Sequence, residues 1–169
     1  MPTTYKLISK VTVGSGGAAN IEFTSIPGTY TDLILKLSAR CTTAGDVYED
    51  VGIYFNGSTS SLSWRWLYQL TTTVGSTSGS TRYMGLVTAG GATASTFGNT
   101  EFYIPNYTSG NNKSLSIDSV TENNGTTILN ALSAGLWSNT AAITSITLNP
   151  ETGNFVQYST ARLYGIKSS

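Results

Sequence analysis

The chain of 169 residues contains no histidine. Activation of a serine or cysteine nucleophile through an imidazole is therefore unavailable, and the commonest metal ligand is missing. The single cysteine, Cys41, excludes an internal disulfide framework and a thiolate zinc site. Cys41 ends an apolar stretch and reads as a buried small hydrophobe. Charge is scarce too, at 11% of residues against about 25% in a typical domain. Nine Lys and Arg balance nine Asp and Glu, so no basic excess exists to hold a phosphate backbone, and no nucleic-acid partner is expected. No apolar run reaches the roughly 18 residues a membrane span needs, and no charged-then-apolar leader is present. The opening Met1-Pro2-Thr3-Thr4 is the start expected of a protein made in a cytoplasm.

Ser, Thr, Asn and Gly fill the space that charge leaves. A hydroxyl-rich, charge-poor surface suits a protein fixed in an assembly or exposed outside a cell. It is equally what a Thr-rich β protein shows, because Thr favours strands. The length fits one domain over 1–169, with a short N-terminal arm, residues 1–5.

The periodicity is that of strands throughout. Tyr5 to Val13 alternates loosely up to Gly14-Ser15-Gly16-Gly17, and Ala19 to Phe23 follows as the second arm of a hairpin around those glycines. Leu33, Leu35, Leu37 and Ala39 share one face of a strand spanning Thr31 to Arg40. Val51, Ile53 and Phe55 alternate next, and Leu62, Trp64, Trp66, Tyr68 and Leu70 form the strictest alternation in the chain. Thr71 to Ser80 has almost no apolar content and reads as an exposed, mobile loop. Strands are expected again in Thr81 to Val87, Glu101 to Ile104, and on either side of the Asn123-Asn124-Gly125 turn. In the last quarter, Ile146 and Leu148 belong to one strand, Asn149 to Asn154 to a turn, and Phe155 to Ile166 to one long second strand. No stretch keeps a helical period. About ten short strands with frequent turn signals predict an all-β, antiparallel β-sandwich, jelly-roll-like in form.

Chemistry is harder to find. A carboxylate pair for glycoside hydrolysis needs two acids about 5–10 Å apart, and nothing nominates a pair among the nine acids. Asp46, Glu49 and Asp50 match no known calcium-loop spacing. Neither metal nor cofactor is expected, and no enzymatic activity. The stripe Trp64, Trp66, Tyr68 invites a sugar-stacking reading, although an inward-facing strand alternates in the same way and a core role is favoured. A glycan site would draw on Trp64, Trp66 and Tyr83. The last strand carries two apolar faces. Phe155, Ala161 and Leu163 supply a core face, which leaves Val156, Tyr158, Arg162, Tyr164 and Ile166 as a candidate interface between copies of the chain, most simply a homotrimer.

Two segments carry a resemblance. Thr4-Tyr5-Lys6-Leu7-Ile8-Ser9 with Ile21 to Leu33 is similar to small virion proteins of tailed bacteriophages, notably marine and cyanobacterial ones. So is Trp137 to Leu148, with Gly153-Asn154-Phe155, Ser159-Thr160 and Leu163-Tyr164-Gly165-Ile166-Lys167. Residues 42–130 align with nothing. The resemblance implies a jelly-roll-like sandwich, usually trimeric, on the outside of a phage particle. Two roles are implied: a decoration (cement) protein stabilising the shell, or a receptor- or glycan-binding head at a tail-fibre tip. It supplies no catalytic motif. A β-domain beginning within five residues of Met1 favours the free-standing decoration protein, docked on the major capsid protein at the outer virion surface. Pro2, Thr3, Thr4 and Tyr5 of the arm, with Asp46 and Tyr48 of the polar loop 42–50, are then the expected shell contacts.

Overall fold

In a computed structural model, which describes residues 4–167, the chain is a β-sandwich of twelve strands with no helix among the described residues. The strands are β1 (Tyr5–Thr12), β2 (Ile21–Phe23), β3 (Asp32–Ala39), β4 (Tyr48–Phe55), β5 (Leu62–Leu70), β6 (Thr73–Gly79), β7 (Tyr83–Thr88), β8 (Gly98–Ile104), β9 (Lys113–Thr121), β10 (Leu129–Trp137), β11 (Ile146–Pro150) and β12 (Thr160–Ile166). Eight form one sheet in the order β1-β12-β3-β8-β9-β10-β5-β6, and four form the other in the order β2-β11-β4-β7. All named pairings are antiparallel.

The pairing is nested. β1 joins β12, β2 joins β11, β3 joins β8 and β4 joins β7, with the first and third pairs in the large sheet and the second and fourth in the small one. The hairpins β5–β6 and β9–β10 lie outside this scheme and widen only the large sheet. Apolar alternation sets the core. Leu33, Leu35, Leu37, Phe102, Ile117 and Leu163 of the large sheet meet Ile21, Phe23, Val51, Ile53, Phe55, Ile146 and Leu148 of the small one in one cluster. Each such side chain contributes about 1.5–3 kcal/mol on leaving water. Cys41 lies in this cluster, fully buried.

Four sequence expectations are corrected. β1 and β2 lie in different sheets and form no hairpin, because each finds a partner from the other end of the chain. Residues 73–79 are a strand, not a loop: β6 pairs with β5 from Trp64↔Gly79 to Leu70↔Thr73 and needs no apolar face of its own there. The long final strand is interrupted, since Tyr158 adopts φ +72° in a turn closed by Ser159 N–H donating to the Val156 carbonyl. Only 160–166 continues as β12, and Phe155 makes isolated bridges to Ala18 and Cys41. β11 and β12 also occupy opposite sheets, so Asn149 to Asn154 joins two layers and not two neighbours.

Candidate functional site: an aromatic cleft with an acidic rim

The large sheet outruns the small one. β7 ends the small sheet, whereas β10, β5 and β6 continue the large sheet on that side. The inward face of this extension lines a cleft of about 460 Å³. Trp64, Trp66 and Tyr68 of β5 form one wall with Leu70, Thr77 and Leu129; Asp46, Tyr48, Glu49, Asp50 and Glu151 form the other. No lysine or arginine lines it.

The aromatic wall depends on its neighbour strand. Trp64 faces Gly79 and Tyr68 faces Gly75 across the β5–β6 ladder. A Cβ on Gly79 would stand 2.6 Å from Trp64 Cζ2, and one on Gly75 would stand 2.7 Å from the Tyr68 hydroxyl. The two glycines thus let the rings lie over β6. Trp64 and Trp66 meet at 4.7 Å between centroids with a 35° tilt, and Trp64 Nε1 donates to Thr81 Oγ1 at 3.1 Å. Trp66 is only 8% exposed and packs with Leu86, Leu129 and Ala131. Its indole N–H, itself buried, finds no acceptor among the described residues, and neither does that of Trp137 in the main core.

The acidic wall is held by the backbone. Asp50 lies in β4, and the Glu151 N–H donates to the Asp50 carbonyl at 2.9 Å. Glu49, nearly buried, accepts from Thr152 Oγ1 at 2.7 Å and from the Asp50 N–H at 3.2 Å. The loop bearing Asp46 is fastened by the Gly91 N–H to the Asp46 carbonyl, 2.9 Å, and the Gly90 N–H to the Thr43 carbonyl, 2.7 Å. Arg40 holds the other side of that loop contact. Its guanidinium donates to the carbonyls of Gly90, Ala92, Thr93 and Thr96 at 2.8–3.3 Å. Burial, then the charges of Glu151 and Glu49, push the Asp50 carboxyl up to about 7. Burial beside Asp50 and Asp46 also raises Tyr48. Among the described residues, no cluster of three acids is placed to share a metal ion.

The structure thus brings together Trp64 and Trp66 from the glycan expectation with Asp46 and Tyr48 from the shell-contact one. Tyr83 stays apart. The Arg82 guanidinium lies over its ring at 4.5 Å and donates to its hydroxyl at 2.6 Å, while Arg82 Nε donates to Asn149 Oδ1 at 3.1 Å. The core expectation for the stripe holds for Trp66 alone, since Trp64 and Tyr68 are half-buried walls of the cleft. Sequence reading missed Glu151, which the pairing of β11 with β4 brings to Asp50, and the glycines of β6.

The interface residues divide. Arg162, Tyr164 and Ile166 alternate on the outward face of β12, half-buried, whereas Val156 and Tyr158 precede the strand and Tyr158 is 69% exposed in its turn. Tyr5 belongs to β1, paired with Ile166, and is no free arm. Thr4 is exposed just before β1; Pro2 and Thr3 lie outside the described residues. Tyr5 and Leu7, exposed, register with Ile166 and Tyr164. Ile34, on the same outward face, is 5% exposed. At the far side of that face Leu67, Val74, Val120 and Leu132 are exposed. Tyr158 aside, every large hydrophobic side chain exposed among the described residues lies on this one sheet face.

No protein-family model matches the chain, and no curated protein matches it.

Proposed function

We propose that the chain is a structural protein of a bacteriophage virion, a decoration (cement) protein that assembles as a homotrimer on the outer surface of the shell. The observation that carries this reading is the outward face of the eight-stranded sheet, with its apolar groups around Leu7 and Ile166 at one end and Leu67 and Leu132 at the other. Exposed apolar groups at the two ends of this face suit burial against a second copy and against the major capsid protein, with the charged side chains of Lys36, Glu101 and Asp118 on the same face between them. The nested pairs β1–β12, β2–β11, β3–β8 and β4–β7 support a jelly roll, since they describe one long antiparallel ribbon folded alternately into two sheets. The two segments that resemble phage virion proteins supply most of the first two pairs, β1–β12 and β2–β11. A cement protein acts by mass action, binding the assembled shell better than its separated subunits. Docking of a neutral surface depends little on screening, so particles should keep the protein through moderate salt; release by salt alone would count against the reading.

A specific observation favours a second reading. The aromatic cleft suits a receptor-binding head at a fibre tip. Quantitative mass spectrometry of purified particles separates the two. Hundreds of copies per particle mean decoration, a few dozen mean a tip, and absence from particles defeats both. Light scattering that finds a monomer at micromolar concentration would defeat the trimer.

A further inference from the structure

We infer that the cleft between β5 and the start of β4 is a saccharide-binding site selective for neutral or amino sugars over acidic ones: the half-buried rings of Trp64 and Tyr68, braced over Gly79 and Gly75, form a stacking wall, and Asp46, Glu49, Asp50 and Glu151 face it across about 460 Å³. The volume falls in the range of small-ligand sites. The aromatic wall offers negative π-faces, to which the weakly positive C–H groups of a pyranose ring are attracted. The opposite wall offers carboxylate oxygens, which accept the hydroxyl protons that the same ring carries at its rim. With no lysine or arginine in the lining, a uronate, sialate or sulfate has no counter-charge to meet and faces repulsion from the acids. A nucleotide is disfavoured for the same reason.

A further observation points to a ligand. Asp50 is placed where burial and two neighbouring acids all disfavour its charge, and no cation offsets them. Folding alone gives no reason to keep that carboxylate, whereas a ligand hydroxyl or ammonium would meet it. The inference does not depend on where in a particle the chain sits, for a decoration protein and a fibre head could both carry such a site. If it fails, the shell reading stands.

The three tryptophans make the test direct. In the intact protein, indole N–H resonances are followed by NMR while maltotriose, the β-1,4-linked glucosamine trimer and the galacturonic acid trimer are titrated separately. The expected result is saturable movement of the Trp64 and Trp66 signals with at least one of the first two sugars and none with the third. Trp137, 1% exposed in the main core, should stay still throughout. Trp64→Ala should weaken binding by about tenfold or more. Asp46→Asn, on an exposed loop residue, keeps the fold and should narrow the gap between the neutral and acidic trimers. No response to either of the first two sugars would overturn the inference, as would equal movement with the galacturonate. So would binding that survives both Trp64→Ala and Tyr68→Ala in variants whose melting shows them folded.

Discussion

Asp50→Asn isolates what the acidic wall does to stability. In the unfolded chain the carboxyl titrates near 3.8; in the folded protein burial, Glu151 and Glu49 hold it protonated up to about 7. Below pH 3.8 the group is neutral in both states and nothing distinguishes aspartate from asparagine. Between those values unfolding releases a proton, so the wild type loses stability as pH rises, and above about 7 the whole penalty is present. At about 1.4 kcal/mol per unit, the shift corresponds to about 4 kcal/mol; water reaching the partly exposed side chain reduces this, giving about 2–4 kcal/mol. Asparagine keeps the shape without the charge. Asp50→Asn should therefore match the wild type at pH 3.5 and exceed it at pH 8, raising the melting temperature there by roughly 5–15 °C. Urea or thermal unfolding of both proteins at equal chain concentration measures the difference, because any self-association adds a concentration term common to both. Equal stability at pH 8, or a gain of the same size at both pH values, would show that Asp50 is not held neutral by burial and its two neighbours.

Three further outcomes follow from the same contacts. Gly79→Ala drives a Cβ into the Trp64 ring and should cost about 1–3 kcal/mol in urea unfolding while shifting the Trp64 fluorescence or indole signal, since the ring must leave β6; an unchanged spectrum would sink the ring–glycine packing. Arg40→Ala removes the donor shared by the carbonyls of Gly90, Ala92, Thr93 and Thr96. It should cost about 1.5–3 kcal/mol, with hydrogen exchange speeding first at the amides of Gly90 and Gly91, which fasten the Asp46 loop. Ile166→Glu puts a charge on the outward face of β12 beside Tyr5 and should turn a trimer into monomers by light scattering without unfolding it; a trimer that persists moves the self-contact elsewhere.

Where a strand faces both core and solvent, the chain spells it out. The alternation of Leu33 to Ala39 and of Leu62 to Leu70 needs only the period of two, and both strands lie where that period puts them. β6 left no such trace because neither of its faces meets the core: one borders the cleft and the other is exposed, so Thr, Ser and Gly suffice. The final segment misled for a local reason. Phe155 and Val156 are apolar enough to begin a strand, but the Ser159 hydroxyl, accepting from the Arg40 N–H and donating to the Arg40 carbonyl, ties down a turn whose positive φ falls on a tyrosine. Periodicity carries no sign of it. The aromatic half of the cleft was legible on β5, and Asp46, Glu49 and Asp50 stood together in the sequence, whereas Glu151 and the placing of these acids opposite the rings were not legible. Glu151 reaches Asp50 only because β11 pairs with β4, and such pairings between distant segments leave no mark in local pattern.

The position of both candidate surfaces follows from the topology. Four nested pairs close two sheets on each other and leave little inner face uncovered. Inserting β5–β6 between β4 and β7, and β9–β10 between β8 and β11, adds strands to one sheet only. The added inner face then has no opposing strands at its far edge, and a sheet in that position must bury its apolar residues by other means or leave a cleft. Here Trp66 is buried with Leu86, Leu129 and Ala131, while Trp64 and Tyr68 fold over the glycines of β6 and stay half-open. The added outer face carries Leu67, Val74 and Leu132 in the open, which the nested core does not require. The inserted hairpins span Leu62–Gly79 and Lys113–Trp137. The inserted hairpins therefore set both surfaces: with the acids of β4 and Glu151 opposite them they line the cleft on the inner side, and they carry the exposed leucines on the outer side.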